Sequence, residues 1–234
     1  MRSEVAAQLV ALNQTFYDSV AVSFAESRQT PQPGFEMLLD YLPLRWERVL
    51  DVGCGNGRWG HYLAERGDIL YTGVDFSQPL LSEAEMLPEA RWLTRNLAEE
   101  DCLEGVGEFD LIACLAVLQH VPSFERRAGL LRGMRGCISA GGRLFLSTWQ
   151  FLNSSRQRRK ILDWGEVGLR AEDVEEHDYL LSWDRGVYGR RYVCWIGEAE
   201  TARLAAASGW QVMGQFYSDG REGNLSLYTV LEPV

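Results

Sequence analysis

The stretch Val49 to Gly60, VLDVGCGNGRWG, decides the fold. A short apolar run ends in Asp51, glycines follow at Gly53, Gly55 and Gly57, and the sequence turns helical at Arg58-Trp59-Gly60-His61-Tyr62-Leu63. This is the pattern of a buried parallel strand that passes through a tight turn into a helix. Glycine suits the turn because the backbone must adopt positive φ and because a main chain without Cβ lets a ligand come close. The helix that follows would aim its unpaired N–H groups into the crevice.

A literal G-x-G-x-x-G lies here, at Gly55, Gly57 and Gly60, so a dinucleotide site has to be weighed. Asp51 argues against it, because a carboxylate just before the first glycine repels a pyrophosphate and attracts an ammonium. The next apolar run, Ile69 to Val74, ends in Asp75. That acid stands roughly 20 residues beyond the loop, the spacing at which a carboxylate after the second strand binds ribose hydroxyls. The pair points to a ligand with a ribose, an amino-acid cation and no phosphate. S-adenosylmethionine (SAM), with S-adenosylhomocysteine (SAH) as its product, has that composition.

The successive segments VLDVGCGNG, YTGVDFS, FDLIACLAVLQHV and GGRLFLSTW resemble the motifs of the class I SAM-dependent methyltransferases, in the right order and spacing. The resemblance implies an α/β fold, a doubly wound, seven-stranded, mostly parallel Rossmann-like sheet with a terminal antiparallel hairpin. The two last apolar runs, Gln211 to Tyr217 and Leu225 to Leu231, joined by a glycine-rich polar link, read as that hairpin.

Length and composition fit one domain with a sizeable core: 234 residues, 46% hydrophobic and 24% charged. No apolar run is long enough to span a bilayer, and the amino-terminal segment does not read as a signal peptide, so a cytoplasmic protein without a membrane partner is expected. Cys54, Cys102, Cys114, Cys137 and Cys194 are scattered and read as small buried side chains. Three separated histidines and no C-x-x-C argue against a metal site. A net charge of −10 does not favour a polyanionic partner.

Residues 1–45 read as a helical lid, with Val5, Leu9 and Leu12 on one face and Phe16, Tyr17, Val20 and Phe24 continuing it. Pro31 and Pro33 mark a break, and a short helix runs from Phe35 to Tyr41. The second domain, 46–234, holds the ligand-binding unit, with an insertion at about 152–190 forming part of a substrate cap. Within it, Gln78 to Met86 reads as a helix, Arg91 to Thr94 as the third strand, Phe109 to Leu115 as the fourth and Arg143 to Thr148 as the fifth. The segment Ser154 to Glu176, with a cationic knot and an acidic run, reads as a solvated surface helix or as a mobile piece over the substrate.

The candidate cofactor contacts are Asp51, Gly53, Cys54, Gly55 and Asn56 at the loop, Asp75 and Phe76 after the second strand, Asn96 and Leu97 beside an adenine, and Leu115 at the end of the fourth strand. Asn96 is equally a turn residue. Tyr17 and Arg28 join them through YDSVAVSFAESR, which resembles the helix over the SAM pocket in one branch of the family; Arg28 would pair with the methionine carboxylate. His120 lies beyond the fourth strand and is the histidine best placed for catalysis, although a histidine beside Val121-Pro122 also serves structure.

Four segments, YDSVAVSFAESR, GCGNGRW, LAVLQHVPSFERRAGLLRGM and RRYVCWIGEAETARLAAASGW, are similar to the tRNA wobble-uridine carboxymethyl methyltransferase family. The resemblance implies methyl esterification of a carboxylate on a modified tRNA base, places Arg127, Arg191 and Tyr192 near the substrate, and is compatible with a small activating subunit. A carboxylate needs no strong base, only alignment and a dry site. The chain departs from the family pattern at Thr148-Trp149-Gln150-Phe151 and at Gln119. A small-molecule O- or N-methyltransferase with His120 as base, and a non-catalytic SAM-binding partner subunit, stay open as alternatives.

Overall fold

A computed structural model of the chain describes residues 1–26, 30–82, 84, 87, 89–184 and 188–234, with 22–26 as backbone only. The elements run α1 (Ser3–Glu26), α2 (Pro33–Leu38), β1 (Arg48–Val52), α3 (Arg58–Ala64), β2 (Leu70–Asp75), α4 (Gln78–Ser82), β3 (Arg91–Thr94), β4 (Phe109–Leu115), α5 (Phe124–Cys137) and β5 (Ile138–Trp149). They continue with α6 (Ser155–Arg158), β6 (Ile161–Leu162), β7 (Asp178–Trp183), β8 (Gly189–Cys194), α7 (Glu198–Ala207), β9 (Trp210–Ser218) and β10 (Ser226–Pro233).

Seven strands form one sheet in the order β3-β2-β1-β4-β5-β10-β9. The first five are parallel, and β10 is antiparallel to both β5 and β9. Each central strand is apolar on both faces and feeds two layers, as period-two side chains must. Leu50, Val52, Ile112, Cys114, Leu144 and Leu146 pack on one side with Leu131 and Met134 of α5 and Leu204 of α7. Val49, Leu111, Ala113 and Phe145 pack on the other with Phe35 of α2 and Trp59 and Leu63 of α3. The chain leaves β1 towards β3 and returns on the opposite side at β4, so the strand order reverses between β1 and β4. Ligands sit beyond the carboxyl ends of strands at such a switch.

Gly60 sets the spacing of α3 against the sheet. A Cβ there would lie 2.5 Å from Cε2 of Tyr71 and 2.7 Å from Leu87, inside van der Waals contact. The third glycine of the literal motif therefore serves helix-to-strand packing.

Some boundaries differ from expectation. Pro33 opens α2 rather than ending a loop, because its missing N–H costs nothing at a first helical position. Leu39–Tyr41 tightens into a 3₁₀ turn. Strand β5 begins at Ile138, and Gly141, at φ +77°, lies within it where the register with β4 shifts. Part of the expected helix Gln78 to Met86, including Met86 itself, and the Phe24 side chain lie outside the described residues.

The larger correction concerns Ser154 to Glu176, which is not a surface helix. Only the four residues of α6 are α-helical, and β6 then pairs antiparallel with β7, which pairs with β8. Beyond β6 the Asp163 carboxylate accepts from the Gly165 N–H at 2.7 Å and starts a 3₁₀ turn that ends at Gly168, at φ +72°. The result is a small three-stranded sheet, inserted between β5 and α7. Helix α1 packs along its β8 edge, where Asn13 takes the Tyr192 N–H at 2.8 Å and donates to the Tyr192 carbonyl at 3.1 Å.

Candidate active site

A cavity of about 840 Å³ opens beyond the carboxyl ends of β1, β2 and β4, walled by α1, the small sheet and the β9–β10 turn. Its floor is the glycine loop. Gly53, Gly55 and Gly57 have φ of +76°, +54° and +72°, which only glycine takes up freely. The Gly53 N–H donates to the Val74 carbonyl at 2.6 Å, tying the loop to β2, and a Cβ at Gly53 would collide with Val117 at 2.2 Å. The space beside Gly55 is open to the cavity.

Two buried carboxylates flank the loop, Asp51 at 3% and Asp75 at 5% exposure. Asp75 accepts the Ser77 N–H on Oδ1 and the Gly55 N–H on Oδ2, each at 2.9 Å. Each carboxylate oxygen keeps a further lone pair for a ligand hydroxyl. Burial pushes the Asp75 pKa up, and these backbone bonds oppose it. Asp51 accepts a 2.7 Å bond from the Tyr71 hydroxyl. Burial lifts its pKa to about 7, the Tyr71 bond works against the shift, and the neighbouring Asp75 adds to it. The Cys54 thiol is raised well above its ordinary value by burial and stays protonated. A floor with two carboxylates and a close backbone fits the ribose and ammonium of SAM and repels a pyrophosphate.

Across the cavity three elements converge on the hydroxyl of Tyr17. Nε2 of His120, from the loop after β4, lies 2.9 Å from it, and Nη1 of Arg191, from β8, donates to it at 3.4 Å. Nδ1 of His120 faces the Tyr192 carbonyl at 3.3 Å. A carbonyl only accepts, so the proton belongs on Nδ1 and Nε2 carries the lone pair. Arg191 is 6% exposed, with its guanidinium 4.8 Å from the Trp149 ring centre, 5.3 Å from Phe16 and 5.6 Å from Trp183. Among the described residues no carboxylate pairs with it, and its buried Nε has no partner. A buried cation in that state is costly and calls for an anion.

Of the candidate residues, Tyr17, Asp51, Gly53, Cys54, Gly55, Asn56, Asp75, Phe76, Leu97, Leu115, His120 and Arg191 all line the cavity. Three do not. Arg127, 1% exposed, pairs with Glu175 at 2.8 Å and donates to the Tyr192 hydroxyl at 3.2 Å, while that hydroxyl donates to Asp178 at 2.6 Å. Both Arg127 and Tyr192 thus belong to a buried polar network beneath the small sheet, not to the substrate wall. Asn96 lines a small adjoining pocket with Phe76, Leu97 and His120, and within its own turn it accepts the Ala98 N–H at 3.1 Å and donates to Glu99 at 3.0 Å. Arg28 lies outside the described residues. Sequence reading missed Arg58, Trp149 and Trp183, which also line the cavity. Arg58 directly follows the loop, and Trp149 stands at one of the departures from the family pattern; those were the available signals.

The fold is that of the class I SAM-dependent methyltransferases. Over 97% of this chain and 98% of the other it superimposes on DhpI in its SAH complex, at a TM-score of 0.65 and 18% identity. A SAM-dependent methyltransferase from Clostridium acetobutylicum gives 0.64 at 15% identity over 94% and 96% of the two chains. Residues 50–144 match the family described as a methyltransferase domain. A protein of Encephalitozoon cuniculi, provisionally named a methyltransferase, is 29% identical over 220 residues, 93% of each chain. The ubiquinone biosynthesis O-methyltransferase of Coxiella burnetii is 36% identical over 110 residues, 46% of this chain and 45% of that enzyme. No helix among the described residues is long and apolar enough to cross a membrane.

Proposed function

We propose that the chain is a SAM-dependent methyltransferase that methylates a hydroxyl of a small acceptor carrying a separate anionic group. The observation behind this reading is a base and a cation facing one cavity: His120, with its lone pair on Nε2, and Arg191 in its ring of aromatics, with no carboxylate partner among the described residues. A hydroxyl is protonated at neutral pH and needs a base, whereas the guanidinium supplies the counter-charge for a carboxylate elsewhere on the acceptor. Asp51 would take the SAM ammonium, Asp75 its ribose, and Phe76 and Leu97 would flank the base. SAM, when bound, supplies the methyl group and leaves as a neutral thioether. Residues 1–45 act as the lid and 152–190 as part of the substrate cap. The match to ubiquinone biosynthesis O-methyltransferases supports a hydroxyl acceptor.

A second reading, methyl esterification of a carboxylate on a modified tRNA base, also draws on Arg191. It loses support at the rim. A tRNA would need the cationic knot Arg156, Arg158, Arg159 and Lys160 to gather with Arg190 and Arg191 at the rim; Arg156, Lys160 and Arg191 line the cavity, but Lys160 pairs with Asp184 at 3.0 Å, Arg158 turns back to the Leu152 carbonyl and Arg190 to Glu166. Incubation with methyl-labelled SAM and separate pools of tRNA and hydroxylated aromatic acids tests both. Alkali-stable label in the small-molecule pool is expected; alkali-labile label in tRNA would overturn the hydroxyl reading in favour of the ester.

A further inference from the structure

The same cavity holds an obstacle to direct base catalysis. His120 does not present Nε2 to the acceptor; the Tyr17 hydroxyl already occupies that lone pair at 2.9 Å. With Nδ1 committed to the Tyr192 carbonyl, the imidazole has no second acceptor atom to offer. Tyr17, however, lines the cavity itself. Its oxygen donates its proton to Nε2 and receives Nη1 of Arg191 at 3.4 Å. The ring is fixed edge-on against Phe16, Phe76 and His120, at centroid distances of 5.0, 5.8 and 5.4 Å, so the hydroxyl is held rather than free to swing.

We propose that Tyr17 is the catalytic residue that receives the acceptor's proton, with His120 as the terminal base behind it. The inference rests on the hydroxyl-acceptor reading above. As the acceptor oxygen forms its bond to the methyl carbon, its proton passes to the Tyr17 oxygen and the Tyr17 proton passes to Nε2 of His120. The electron pair of the broken carbon–sulfur bond stays on sulfur. Tyrosine ends neutral, histidine ends as imidazolium, and the proton returns to solvent after product leaves. The Arg191 guanidinium steadies the phenolate character that Tyr17 acquires in passing. It thereby has two uses, one towards the acceptor's anion and one towards the relay. The amino-terminal helix, on this account, supplies a reacting group as well as a wall.

The test compares wild type with Tyr17→Phe in single-turnover methylation of a dihydroxybenzoate, a probe that carries both a hydroxyl and a carboxylate, from slightly acid to alkaline pH. A relay predicts about a hundredfold loss at neutral pH, the ordinary scale of acid–base catalysis. The deficit should shrink as alkali ionises the probe's own phenol, and calorimetric affinity for SAH should stay within about twofold of wild type. A deficit equal at every pH, a deficit explained by lost SAH affinity, or no deficit overturns the relay. Nitrogen NMR of His120 gives a readout that needs no acceptor. The proton is expected on Nδ1, with the Nε2 signal moving in Tyr17→Phe; a proton on Nε2 would reverse the Tyr17 bond and end the proposal. A wild-type enzyme that methylates the probe while Tyr17→Phe matches it overturns the relay alone. A wild type that methylates no hydroxyl in any small acceptor overturns the functional reading and the relay together.

Discussion

The phenol of Tyr71 donates a 2.7 Å hydrogen bond to Oδ2 of Asp51, and both groups are buried behind the glycine loop. Burial lifts Asp51 to about 7 and this bond restrains the rise. A carboxyl whose folded pKa lies above its unfolded value binds more protons folded than unfolded. Its contribution to stability is therefore complete below the unfolded value and is lost as pH rises through about 7. Binding of an ammonium needs the carboxylate and has the opposite sign. Calorimetry should show SAH affinity falling, by up to about tenfold per pH unit below neutrality, while the unfolding temperature of the free protein changes the other way. Asp51→Asn should flatten both trends, and Tyr71→Phe should move the midpoint up.

Gly60→Ala should act on the same pair from the other side. Its Cβ would overlap Tyr71 and Leu87, so α3 must lift or the phenol must move. Overpacking of this kind costs about 1–3 kcal/mol. Urea unfolding should register that loss, and the midpoint of the pH-dependent SAH affinity should rise with it.

Two buried arginines should separate by readout. Arg127 is enclosed with Glu175 as its ion-pair partner, and Arg127→Ala empties its buried space and leaves that acid, among the described residues, only the more distant Met1 amino terminus as a cation, at 3.8 Å. A loss of about 3–5 kcal/mol in unfolding free energy is expected, with little change in acceptor KM for whatever folds. Arg191→Gln removes a cation that has no carboxylate partner among the described residues. It should raise the KM of an anionic acceptor at least tenfold, on the order of the 1.5–3 kcal/mol of a charge-assisted bond, and leave SAH affinity unchanged.

His120→Gln discriminates between acceptors. For a hydroxyl, kcat/KM should fall about a hundredfold or more, because the terminal acceptor of the proton is gone. For a carboxylate the loss should be modest. Equal, modest losses on both kinds of probe would remove the base from the mechanism.

The central strands were legible because each carries one unbroken message. Apart from Asp110 near its start, Phe109 to Leu115 is apolar, and it becomes β4 with those same ends. The loop was legible because Asp51, its three alternating glycines and Asp75 admit few other arrangements. The small sheet was not. Strand β6 has two residues, and the charged residues around it carry no period that separates a strand from a solvated helix. Arg127 and Tyr192 were drawn towards the substrate by resemblance alone. The sequence holds no sign that Glu175 and Asp178 lie beneath them and claim both side chains. Asn96 bonds its own turn, as an asparagine does without tertiary help.

Asn13 gives Tyr192 the pair of hydrogen bonds that a further strand would give it. A side chain on α1 thus seals the flank of β8, a strand edge that would otherwise be open to pairing with another molecule. Any opening that draws α1 away from the cavity also unseals that flank. If α1 opens as the proposed lid, entrance and flank share one amide, and conditions that hold the entrance open for long should be those in which the protein clumps.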